Sequence, residues 1–77
     1  MNARRRKDIN SVIEKLDELK SQIEDIMQEE QDALDNLPES LQYGERGERM
    51  QSAIDALEYA TDSVQEVIDN LNEATEV

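Results

Sequence analysis

The sequence predicts an all-α protein: a long antiparallel helical hairpin that dimerises into a four-helix bundle. Three observations predict it. Apolar residues recur at alternating spacings of three and four along two long stretches, the period of one face of a helix. Both glycines and the single proline fall within ten positions of one another, between those stretches. Phe and Trp are absent and there are only two Tyr, so the aromatic strand formers of a sandwich or barrel are missing. At 77 residues the chain makes one domain, and alone it buries only about 60% of its unfolded surface.

Residues 1–7 hold four of the eight cations, in the run Arg4-Arg5-Arg6-Lys7. Cations at a helix N-terminus oppose the macrodipole, so this stretch is expected to fray as a basic arm. It does not read as the start of a signal peptide, because Asp8-Ile9-Asn10-Ser11 follows in place of an apolar core. The longest apolar runs are two residues, far short of the roughly 20 that span a bilayer. The expectation is a cytoplasmic chain with no membrane partner.

The first helix is expected over residues 8–36. Its ladder is Ile9, Val12, Leu16, Leu19, Ile23, Ile26, Ala33 and Leu37, with Glu30 as the one charged rung. With Ile9 as heptad position a, Ile13, Met27 and Leu34 add an e position, so the stripe is a/d/e. The turn is placed at residues 37–46. Leu37 precedes a proline and is pushed out of the helical region. Pro38 suits the first position of a short helical turn, and Gly44 its left-handed end. The second helix is expected over 47–75, with Met50, Ala53, Leu57, Ala60, Val64, Val67, Leu71 and Ala74 at a and d and Ile54 and Ile68 at e. Glu45 and Glu48 favour its positive end.

A two-helix contact needs only a narrow two-position seam, whereas three positions in seven is the width found in bundles. Part of the stripe would stay wet in one hairpin, and a second copy would cover it. The small d residues Ala53, Ala60 and Ala74 place the closest helix approach on that face. The rival is a monomer whose third short turn folds over the open end with Leu41 and Tyr43 as its plug. For Glu30 the readings stay open: solvation near the helix end, an ion pair with Arg46 or Arg49, or a metal-binding or catalytic role, and a buried polar residue there could also fix register.

Catalytic chemistry finds little support. Without Cys or His there is no disulfide, zinc site, thiol or imidazole. Lys15 and Lys20 are placed on the solvent side of the first helix, and no phosphate-binding loop is present. Carboxylate pairs such as Glu66 and Asp69 loosely resemble those of metal-dependent all-α nucleotide hydrolases, but they fall at outward heptad positions. The expectation is no enzyme, no catalytic or metal residues and no cofactor.

Charge is the more informative feature. Twenty acidic residues against eight basic ones leave a net charge of −12. Residues 50–77 contain seven acids and no Lys or Arg. Asp55, Asp62, Asp69 and Glu76 repeat every seven residues, with Glu58, Glu66 and Glu73 beside them. Successive carboxylates on such a face are about 5–6 Å apart. This ribbon is either a solubilising surface or an imitation of a nucleic-acid backbone presented to a basic host protein. Direct nucleic-acid binding by it is opposed by charge repulsion.

The centre of the chain carries a resemblance. Glu29-Glu30-Gln31, then Asp35-Asn36-Leu37-Pro38-Glu39-Ser40-Leu41-Gln42, then Glu45-Arg46-Gly47-Glu48 resembles a group of small acidic proteins of phages, prophages and mobile elements, mostly of Gram-positive hosts. The resemblance implies a helical hairpin in which the turn residues Asn36, Leu37, Pro38, Leu41, Tyr43 and Arg46 matter. It implies no catalytic residues. Small acidic phage proteins include inhibitors of host defence, which favours the mimic. The alternatives are a structural or scaffolding bundle, and a carboxylate-metal nucleotide hydrolase.

Overall fold

A computed structural model describes all 77 residues. Two long helices, α1 (Ala3–Asp35) and α3 (Glu45–Thr75), pack antiparallel, and the single turn α2 (Glu39–Gln42) joins them. There is no strand. The molecule measures 58 × 15 × 11 Å with a radius of gyration of 17.5 Å. A globule of this length would have a radius of about 11–12 Å, so the hairpin is a rod.

α1 starts at Ala3, not at residue 8, and the basic residues form its first turns rather than a loose arm. Two interactions overcome the unfavourable dipole. The Asn2 side chain caps the helix by accepting the Arg5 N–H at 2.9 Å. Antiparallel pairing also brings up the C-terminal, negative end of α3. Arg6 Nε donates to the Thr75 carbonyl at 3.1 Å, and Arg6 Nη2 to that of Val77 at 3.3 Å.

At the other end α1 stops at Asp35, ahead of Pro38. Pro38 precedes α2, and its carbonyl accepts the N–H groups of Leu41 and Gln42. The expected left-handed glycine is absent. Gly44 is extended, with φ −92° and ψ −173°, and is the N-cap of α3, whose carbonyl accepts the Glu48 N–H at 3.0 Å. Helix α3 therefore begins at Glu45, with Glu45 and Glu48 in its first turn.

Only Gly47, Ile54, Thr61 and Ile68 are buried, all on α3 at successive e positions. Their relative exposures are 6% for Ile54 and 4% for Ile68. Residues at a in α3 are half-buried, as are Ile9, Ile13, Leu16, Ile23, Met27 and Leu34 of α1. The seam is thus a/e on both helices. Within the hairpin the d alanines of α3 are less covered than the e residues, Ala53 being exposed and Ala60 and Ala74 half-buried. On α3 this places the larger side chains inside, since Ile54 and Ile68 remove far more apolar area from water than alanine can. Thr61 interrupts the apolar e series and satisfies its hydroxyl on the Glu58 carbonyl at 2.7 Å.

Lys20 is on the seam rather than on the solvent side. Its Nζ donates to Gln65 Oε1 at 2.8 Å across the hairpin, and Gln65 Nε2 donates to Asp69 Oδ1 at 2.9 Å. This crosslink marks the register. Stepping by heptads from it places Leu19 near the level of Val67, Ile26 near Ala60, Val12 near Ala74 and Ala33 near Ala53.

Candidate interaction surfaces

Around a helix, heptad positions run in the order d, a, e, b, f, c, g. With a/e in the seam of an antiparallel pair, the d residues of both helices turn to the same flank of the hairpin. That flank carries Val12, Leu19, Ile26 and Ala33 from α1 and Ala53, Ala60, Val67 and Ala74 from α3, bounded by Arg5 on α1 and Arg46 on α3. Leu19 and Ile26 are 50% and 53% exposed, and Val12 and Val67 are similarly open. A continuous apolar strip therefore lies in water along most of the rod.

The acidic ribbon occupies the opposite side of α3. Asp55, Glu58, Asp62, Glu66, Asp69, Glu73 and Glu76 are all exposed, at positions f, b and c. None forms a salt bridge, since the molecule's two ion pairs are Arg4 with Asp8 and Arg49 with Glu45. Gln51 and Gln65 donate side-chain hydrogen bonds to Asp55 and Asp69, which orients these two carboxylates without neutralising them. From Asp55 to Glu76 the ribbon holds one charge per about 5 Å of helix axis. A single nucleic-acid strand has about one per 3.4 Å and the duplex about one per 1.7 Å. The ribbon is closer to a single strand in charge density than to a duplex.

The turn differs from its sequence reading. Leu41 is 43% exposed and Tyr43 80%, so neither plugs the open end, which lies at the far pole of the rod. Leu37 is half-buried, while Asn36, Pro38, Glu39 and Arg46 are exposed or nearly so. The residues that close the turn are Gln42 and Gly47. Gln42 Nε2 donates to the Leu37 carbonyl at 2.9 Å and reaches the Asp35 carbonyl at 3.4 Å, capping orphan acceptors at the end of α1. Gly47 lets α2 lie directly on α3: a Cβ there would sit 2.8 Å from Gln42 Cα and closer still to its carbonyl oxygen. One signal for Gly47 was present in the sequence, because a glycine inside a helix costs about 1 kcal/mol and calls for a packing reason.

Beside the turn is an open trough of about 410 Å³ in which only Leu34 and Tyr43 are apolar. It encloses no volume in which water would be excluded from a reaction. Glu30 is half-buried on the seam and forms no ion pair; Arg49 bonds Glu45 instead, and Arg46 stands in solvent. No three carboxylates approach closely enough to hold a metal ion. No helix is long and apolar enough to cross a membrane. No family model, curated protein or solved structure matches the chain.

Proposed function

We propose that the chain is a small non-enzymatic interaction module of phage or mobile-element origin. In this reading it is a homodimeric four-helix bundle that presents acidic ribbons to a basic host protein in place of nucleic acid. The observation that carries the reading is the segregation of charge on α3. Seven exposed carboxylates share one side, with no cation among residues 50–77 to neutralise them. A surface acidic only for solubility has no need to separate the two signs, and mixed charge is the common solution. The phage origin rests on the resemblance at the turn.

Electrostatic recognition of this kind is salt-sensitive, because the Debye length shrinks from about 10 Å at 0.1 M to 3 Å at 1 M. A nucleic-acid-binding protein captured by the immobilised chain should be released by about 0.5 M salt and displaced by added DNA. It should not be retained by the Asp62→Lys/Asp69→Lys variant. Retention indifferent to salt, to DNA and to both substitutions would refute the mimic. A scaffolding role is the second reading, favoured by the exposed Leu41 and Tyr43 at the turn. It predicts that a partner is lost on Leu41→Ser/Tyr43→Ser and kept when the ribbon is altered.

A further inference from the structure

The flank of d residues has a second feature besides its apolarity. On α3 beyond Met50 the neighbouring g positions are Ala56, Ser63 and Asn70, all exposed and none charged. Beyond Met50 the strip of d and g residues on α3 thus reads Ala53, Ala56, Ala60, Ser63, Val67, Asn70 and Ala74, with Arg46 and Arg49 ahead of it at the turn. Every acid of the helix beyond Met50 avoids it. On α1 the g positions are Asp8, Lys15, Gln22 and Glu29, and of these Lys15 and Glu29, a cation and an anion, stand symmetrically about the neutral Gln22.

We infer that this flank is covered by a second copy of the chain, and that the two rods lie head to tail, the turn of one beside the open end of the other. The inference rests on the homodimer proposed above and adds its face, direction and register. Three observations support it. The first is area. The hairpin exposes 5835 Å², whereas a compact monomer of 8.9 kDa exposes about 4,800 Å². The rod shape thus exposes roughly 1,000 Å² in excess, enough to supply the 800 Å² or so that each partner contributes to a stable interface.

The second is the charge along the rod. The half at the open end, residues 1–22 and 64–77, has six cations and eight acids, a net −2. The half at the turn, residues 23–63, has two cations and twelve acids, a net −10. Two rods side by side in the same direction would set −10 against −10. Reversing one sets −10 against −2 at both ends, and only this arrangement lessens the repulsion.

The third is register. Head-to-tail overlap of the two apolar strips puts α1 against α1 and α3 against α3 across a twofold axis. Leu19 then meets the partner's Ile26, and Val12 the partner's Ala33. Between those layers Lys15 faces the partner's Glu29, twice by symmetry, and Gln22 faces its own copy. On α3 the small residues meet, with Ser63 against its own copy. The same-direction alignment instead sets Lys15 by Asn70 and Glu29 by Ala56, and no ion pair forms.

The chain has no cysteine, so single-cysteine variants at the exposed positions 22 and 63 report the arrangement. Gln22→Cys and Ser63→Cys should each be linked to its own kind by a short bismaleimide. In addition, Lys15→Glu should weaken the dimer at least tenfold, and Lys15→Glu/Glu29→Lys should restore it. A dimer that links only when Gln22→Cys is mixed with Ser63→Cys would overturn the head-to-tail direction and leave the homodimer standing. A dimer that links in neither experiment would overturn the face. A chain that sediments as a monomer would overturn the homodimer itself.

Discussion

Replacing Gly47 with alanine should destabilise the hairpin by about 1–3 kcal/mol, the usual cost of forcing an atom into filled space. The sign is the informative part. In an exposed helix the same change gains about 1 kcal/mol, because alanine is the better helix former. Here the added methyl meets the backbone of Gln42, which cannot swing aside as a flexible side chain would. Gln42 is itself anchored, its side chain holding the Leu37 carbonyl and so the end of α1. Moving it to admit a Cβ would break that cap and lift α2 from α3. Urea denaturation followed by circular dichroism measures the change. Gly44 is the control, since a Cβ there has only an ordinary contact at 3.6 Å with the Leu41 carbonyl. Gly44→Ser should gain a few tenths of a kcal/mol by adding an N-cap hydroxyl. If Gly47→Ala proves as harmless as Gly44→Ser, α2 does not pack on α3 as described.

Introducing Leu19→Asp and Ile26→Asp together should weaken self-association at least about 100-fold. In the lone hairpin these side chains are half exposed, and their replacement would be nearly neutral. In the dimer four of them per assembly lose roughly 0.7–1.5 kcal/mol each of apolar burial, and four new carboxylates are forced together. Dilution followed by light scattering checks this. A double variant that stays dimeric at the concentrations where the parent does would remove the d flank from the interface.

Much of the fold was legible in the residues. The two ladders and the Pro38–Gly44–Gly47 cluster carry the hairpin, because helical period and chain punctuation are local properties. Which two of the three apolar positions form the internal seam was not legible. Leu19 and Ile26 at d are as apolar as Ile13 and Met27 at e, and Thr61 interrupts the e series of the second helix with a hydroxyl. The choice depends on how volumes match across the seam, a tertiary matter that periodicity does not encode. The heptad that puts Ile13 and Met27 at e puts Lys20 there too, so its place on the stripe is legible, whereas its Gln65 partner is a tertiary matter. The early start of α1 depends on the antiparallel partner as well, since α3 brings its C-terminal carbonyls to Arg6.

The outward placement of the seven acids was legible, since they fall at f, b and c, and all are exposed. What the sequence could not place was the ribbon's relation to the uncovered flank. Because the seam is a/e, the f position points nearly opposite to d, and a dimer built on d leaves every ribbon carboxylate facing outward. Self-association and partner binding would then use different sides of α3 and proceed independently.

Sedimentation equilibrium on the unmodified chain tests most directly whether the hairpin is half of a bundle. A mass near twice 8.9 kDa, persisting at raised salt because apolar burial drives it, is the predicted result. A mass of 8.9 kDa at all concentrations, with cooperative unfolding retained, would contradict it.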